Sequence, residues 1–281
     1  MRAEQKALNS IPPYGGKLVG LTMPLEAAAE SLARASELPS VLLSERSMCD
    51  LEIMATGGFS PLDRFMGQAD YQGVVNSMRL ADGSLFPIPI TLPLEDPSAI
   101  DIGGEVALLS PRREILAVMQ VEEIFGWDLQ AEAGQVFGST DSRHPLVAEM
   151  HRWGKAYASG PLRVLQLPRH FDFKELRLTP AQTRAELSHT GRANVVAFQT
   201  RNPLHRAHEY ALVYGLETLL RAGYNAGACL NPLIGETKGD DVHADVRMHT
   251  YEALIENRVL GDGDSDPDLW DPRRQSLPGL A

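Results

Sequence analysis

Only two cysteines occur in 281 residues, Cys49 and Cys229, and they lie far apart. That pair suggests neither a disulfide framework nor a zinc knuckle, and it is read as two buried free thiols in a reducing compartment. No apolar run approaches the roughly 20 residues that a membrane helix needs. The opening residues, Met1-Arg2-Ala3-Glu4-Gln5-Lys6, lack the apolar segment of a signal peptide. These absences point to a cytoplasmic protein with no membrane partner. Basic charge is scarce as well. Lys and Arg number 26 against 37 Asp and Glu, a net charge of −11, which counts against a general nucleic-acid binder. An anionic small substrate stays open, because a local cluster sets the potential in a cleft. Internal repeats and low-complexity tracts are missing too.

What is there is ordinary for a globular protein, with 43% hydrophobic and 22% charged residues. The chain is long enough for two domains and a sizeable core. Up to about Leu167 it reads as a mixed, strand-rich domain. Leu25 to Leu38 carries Leu25, Ala28, Ala29 and Leu32 on one helical stripe. Val41-Leu42-Leu43 is a short strand. Leu85 to Leu92 is extended, since Pro87 and Pro89 bias their predecessors away from the helical region, and it is assigned to an edge strand. Glu105–Leu109 and Ile115–Val121 flank Ser110-Pro111-Arg112-Arg113-Glu114 and form a hairpin. Leu146 to Tyr157 is expected to be helical. Gly57-Gly58 and Ser60-Pro61 read as a structural turn, and Trp127 and Trp153 as core or interface residues.

Residues 168–190 read as a connector containing a short helix, Pro180 to Leu187. From there the pattern changes to strand, helix, strand: Val195–Phe198, Ala211–Arg221, Ala226–Leu230. That is the start of a parallel α/β sheet, with a further helix at 247–257. The expected domains are thus 1–167 and 168–281.

The most informative stretch is Gln199-Thr200-Arg201-Asn202-Pro203-Leu204-His205-Arg206-Ala207-His208. It sits between an apolar strand and a helix, a junction where unpaired N–H groups and the helix dipole favour anions. Asn202 suits an N-cap and Pro203 the first helical position. His205 and His208 then lie three apart on the first turns, near Arg201. The arrangement suits phosphates. A zinc site would need a third and a fourth ligand, and no Cys or His cluster supplies them. Arg201 could instead be a salt-bridge partner and Asn202 a cap alone. Lys238, in Gly235-Glu236-Thr237-Lys238, is read either as an anion contact or as a solvated charge.

This stretch resembles the Q-x-R-N-P-x-H-x-x-H signature of the ATP sulfurylase (sulfate adenylyltransferase) family. Further segments fit the family in order: Asp50–Met66 (DLEIMATGGFSPLDRFM), Pro87–Leu92 (PIPITL), Val136–Pro145 (VFGSTDSRHP) and Asn231–Asp241 (NPLIGETKGDD). The resemblance covers most of residues 15–257. It implies an α/β chain, α+β overall, with a PUA-like, β-rich N-terminal domain before a Rossmann-like nucleotidyltransferase domain. It also implies transfer of the adenylyl group of ATP to sulfate. Gln199 and Arg201 would hold sulfate, and Thr200 and Asn202 would contact phosphates at the reacting centre. His205 and His208 would bind the ATP phosphates. Thr200, Arg201 and Asn202 are the implied catalytic residues, and Mg²⁺ would arrive with ATP. The full-length family is expected to form homo-oligomers.

Two departures shape the expectation. A doubly wound sheet needs around five strands, and two are legible after residue 190. The family's later Gly-Arg-(Asp/Lys)-His-Ala segment is not in this sequence. The chain is therefore expected to be an incomplete form, impaired when taken alone. Two alternatives stand beside this reading: another H-x-x-H adenylyltransferase acting on an organic phosphate, and a non-catalytic PUA-like module that binds RNA.

Overall fold

A computed structural model describes residues 11–192, 194–234 and 241–256 of the chain. The chain divides into two compact units, Pro13–Arg169 and, from His170 onward, a second unit that residues 11 and 12 join.

In the first unit the elements run α1 (Leu25–Ala35), β1 (Ser40–Leu42), α2 (Glu45–Ala55), α3 (Gln68–Ser77), β2 (Leu92–Leu94), β3 (Glu105–Leu109), β4 (Ile115–Gln120) and β5 (Glu123–Gly126). Then come α4 (Leu129–Phe137), α5 (Pro145–Met150), β6 (Ala156–Ser159) and β7 (Leu162–Val164). One sheet has the order β1-β3-β4-β7, with β1 parallel to β3 and the other pairs antiparallel. The second has the order β2-β6-β5 and is antiparallel. Residues 116–119 of β4 are all buried, because both faces of the strand are covered. Leu116, Ala117 and Met119 enter the main core, while Val118 packs with Ala28 and Ala35 of α1. The main core gathers Leu51 and Met54 of α2, Val106 and Met119 of the first sheet, Tyr157 of the second, and Phe65, Met66 and Ile90 of the connecting segments.

Three sequence expectations need correction here. Leu85–Leu92 is not one strand: Leu85 makes an isolated bridge with Arg79, and pairing proper starts at Leu92. Pro87 and Pro89 lack the N–H groups a ladder uses. β2 is nonetheless an edge strand. The helix expected over Leu146–Tyr157 stops at Met150, and Tyr157 belongs to β6. The first helix ends at Ala35, three residues early.

Gly154 and Gly160 bracket β6 at two close approaches of backbone to backbone. A Cβ on Gly154 would lie 1.4 Å from the Leu94 carbonyl oxygen, and one on Gly160 would lie 1.7 Å from that of Gln120. The backbones meet too closely for any side chain.

Trp127 and Trp153 pack against this core, as anticipated. Trp127 stacks on Tyr157 with centroids 4.9 Å apart and donates its Nε1–H to the Gly154 carbonyl. The Arg46 guanidinium lies 4.2 Å from the centre of a Trp153 ring, and it faces Asp50 at 3.4 Å. Burial pushes the Asp50 carboxyl up to about 6, against the opposing pull of Arg46. Nearby, buried Glu132 accepts hydrogen bonds from the Tyr71 and Tyr157 hydroxyls, at 2.9 and 2.8 Å. Cys49 is half-buried and Cys229 buried, with no disulfide between them. No described helix is long and apolar enough to cross a membrane.

The second unit contains α6 (Pro180–His189), β8 (Asn194–Thr200), α7 (Arg206–Arg221), β9 (Ala226–Pro232) and α8 (Ala244–Glu256). Thr179 and Gln182 form a capping box on α6, with Pro180 at its first position. β8 and β9 are parallel and in register from Asn194↔Ala226 to Thr200↔Pro232. α7 is the crossover that a parallel pair requires. It buries Leu212 and Leu216, and a Cβ on Gly215 would come within 3.2 Å of Val196. Met248 and Tyr251 of α8 pack with Leu230, Phe198 and Leu204.

Candidate active site

β8 ends at Thr200, whose carbonyl accepts from the Leu233 N–H at 2.8 Å just past β9. The chain then turns tightly. The Thr200 hydroxyl accepts from the Asn202 N–H at 3.1 Å and donates to the Asn202 carbonyl at 3.2 Å. Hydroxyl-to-backbone bonds of this kind stabilise turns. Pro203 keeps Asn202 out of the helical region. α7 therefore starts three residues later than expected: His205, not Asn202, is the N-cap, and Pro203 lies outside the helix. The His205 backbone is extended and its Nδ1 accepts from the Ala207 N–H at 3.2 Å. Asn202 cannot cap because its backbone is already committed to Thr200 and to Tyr251, which donates its hydroxyl proton to the Asn202 carbonyl at 2.7 Å.

The shifted start still brings the two histidines together. Their ring centroids are 3.9 Å apart, and the Phe198 ring lies 5.7 Å from that of His208. Burial, and then the neighbouring His205, hold the His208 imidazole below its ordinary pKa. An arriving polyanion would reverse that direction, since negative charge favours the imidazolium. Gln199, Asn202 and His205 are exposed, Arg201 and His208 are half-buried, and Thr200 is buried. Arg201 does meet a salt-bridge partner: its Nη1 is 3.0 Å from an Asp241 carboxylate oxygen. One contact leaves most of the five guanidinium donors unspent. Lys238 lies outside the described residues.

Three residues escaped the sequence reading as parts of the site: Asp241, Arg247 and Tyr251. Arg247, 1% exposed, donates from Nη1 to the Arg201 carbonyl at 2.5 Å. The i, i+4 spacing of Arg247 and Tyr251 sets both on one face of α8, a signal visible in sequence but without a partner to give it meaning. Three buried polar atoms of this unit find no partner among the described residues: His208 Nδ1, Asn231 Oδ1 and Arg247 Nε. All three belong to the motif, to its register neighbour on β9, or to the helix beneath its turn. Orphaned polar atoms are uncommon in folded proteins, and a ligand or water ordinarily accounts for them.

Residues 11–167 match the PUA-like domain family, and residues 174–264 match the ATP-sulfurylase family. A sulfate adenylyltransferase of Symbiobacterium thermophilum is 47% identical over 248 residues, 88% of this chain and 61% of the relative. That of Schizosaccharomyces pombe is 43% identical over 81% of this chain and 46% of its own length. Over most of its length the chain is similar to members of the ATP-sulfurylase family. Its first unit is a PUA-like domain, followed by an α/β unit of the ATP-sulfurylase type. Among solved structures, the hexameric APS kinase from Thiobacillus denitrificans matches with a TM-score of 0.67 and 27% identity, over 96% of this chain and 46% of that one. The chain thus spans about 60% of the Symbiobacterium relative and under half of the other two.

Proposed function

We propose that this protein transfers the adenylyl group of ATP to sulfate. A sulfate oxygen forms a bond to the α-phosphorus and the α–β bridging bond breaks. Adenosine 5′-phosphosulfate forms and pyrophosphate leaves with the bond electrons. Sulfate is already a dianion and needs no general base. The requirements are positioning of two like-charged partners and neutralisation of charge on the departing phosphates.

One observation carries this reading. Arg201, the paired imidazoles of His205 and His208 and the N-terminus of α7 are all presented within ten residues by the β8–α7 junction. Gln199 and the free edge of Arg201 would hold sulfate, the guanidinium fork suiting a tetrahedral oxyanion. Thr200 and Asn202 would contact the phosphates at the reacting centre. His205 and His208 would face the β- and γ-phosphates, with Lys238 a further anion contact. Mg²⁺ would enter on the triphosphate, whose oxygens supply ligands. Among the described residues no set of three His, Cys, Asp or Glu side chains converges on a metal.

The parallel β8–α7–β9 connection supports a Rossmann-like, ATP-binding unit. The hexameric neighbour supports a homo-oligomer, and a place in the cytoplasm fits a substrate pair of ATP and sulfate.

The test is pyrophosphate release from MgATP with and without sulfate, alongside other acceptor anions. Sulfate-dependent release is expected at a reduced rate, in keeping with the impaired activity expected from the sequence, and Arg201→Ala is expected to abolish it while the circular dichroism spectrum stays unchanged. Release that ignores sulfate, or an Arg201→Ala variant as active as the parent, would overturn the assignment.

A further inference from the structure

The motif turn is held by a second layer of side chains, and its geometry has a direction. Arg247 donates to the Arg201 carbonyl and Tyr251 to the Asn202 carbonyl. Both oxygens therefore face α8, and a planar trans peptide sends its N–H the opposite way. The Arg201–Asn202 peptide accordingly gives its N–H to the Thr200 hydroxyl, while the next peptide has no N–H because Pro203 follows. Two carbonyl dipoles that would repel an anion are thus turned into the fold and satisfied there. Asp241 acts on the side chain instead. The Asp241 side chain is 8% exposed against 34% for that of Arg201, so the buried partner is the anchor and the arginine the more mobile end.

We infer that Asp241, Arg247 and Tyr251 are positioning residues: they fix the Thr200–Asn202 turn and the Arg201 fork in an anion-ready orientation before substrate arrives. The inference rests on the function proposed above, in which Arg201 holds sulfate. A long arginine side chain loses considerable rotamer freedom when it is ordered. Fixing it in the free protein moves that loss out of the binding step. The buried cation of Arg247, one residue's backbone away from the Arg201 side chain, also leaves positive potential under the turn when Asp241 offsets Arg201 itself. A purely structural role predicts something different: substitution would lower the melting temperature and leave the two substrates equally affected.

Two single substitutions in the full chain separate these cases. Asp241→Ala releases Arg201, and it is expected to raise KM for sulfate about tenfold, the effect of one charge-assisted hydrogen bond, with KM for ATP within about twofold. Tyr251→Phe removes one hydroxyl and no charge, and it is expected to lower kcat about tenfold with the melting temperature nearly unchanged, since the ring stays packed. A turnover-independent arm follows the Arg201 side-chain Nε–H resonance by NMR during titration with sodium sulfate, in parent and Asp241→Ala. A parent with neither sulfate-dependent turnover nor a sulfate-dependent Arg201 shift overturns the proposed function. A parent that responds in either arm, with variants matching it there, overturns the positioning role alone. So does a loss of activity shared equally by both substrates and accompanied by a lowered melting temperature.

Discussion

At the scale of single residues, the first unit carries its sharpest feature at Asp50. Its folded pKa of about 6 lies above the ordinary 3.8 because burial disfavours the ionised form. The fold therefore binds this proton more tightly than the unfolded chain does. The resulting stability is fully present below about pH 4, falls as pH rises toward 6 and is gone above that. Asp50→Asn, neutral throughout, is expected to raise the melting temperature at pH 8, by up to about 3 kcal/mol of stability for a shift of this size. Near pH 4 the gain should vanish. Thermal denaturation of both proteins across pH 4–8 measures it, and a gain independent of pH would contradict the cause. The motif residues Gln199 to His208 were legible in sequence because their chemistry is contiguous. Asp241, Arg247 and Tyr251 were not, since their meaning depends on a packing of α8 beside the motif turn that no local pattern announces.

At the scale of elements, local signals succeeded where the decisive contacts were local. The β3–β4 hairpin follows from two apolar runs around a five-residue turn, in which the Ser110 N–H bonds the Glu114 carbonyl. The helix expected through Tyr157 failed because Tyr157 is claimed by strand pairing, opposite Pro93 and Phe125, some sixty and thirty residues earlier in the chain. The start of α7 failed for a related reason. Asn202 has the better intrinsic cap preference, but its backbone is engaged by Tyr251, so the cap moved to His205. That shift gives one imidazole two tasks, capping a helix and facing phosphate. His205→Asn keeps a capping side chain and removes the imidazole; His205→Ala removes both. The alanine variant is expected to lose about 1 kcal/mol of stability, whereas the asparagine variant should keep the parent's stability. Both should lose sulfate-dependent turnover to a similar degree. Denaturant melts and rate measurements on the same preparations check this, and an active His205→Asn would leave the ring with the capping task alone.

At the scale of the whole molecule, the two units have separate cores. Among the described residues, the main core of the first draws on residues between Leu21 and Leu167, and the cluster around Leu230, Met248 and Tyr251 on residues from Phe173 onward. A fragment of residues 13–169 is therefore expected to fold cooperatively by itself, with the near-ultraviolet signature of the stacked Trp127, Trp153 and Tyr157 rings. A fragment without a sharp unfolding transition would show that its core depends on the remainder. The same division bears on how substitutions in this chain are interpreted. Gly154 and Gly160 admit no side chain, for want of room between backbones. In a saturation library scored by turnover they would rank as intolerant as Arg201, and a count of forbidden substitutions would place all three in one active site. Constraint in this chain has two sources, space and chemistry. Scoring abundance beside activity tells them apart: the glycine variants should disappear from the soluble fraction, and the Arg201 variants should remain in it, inert.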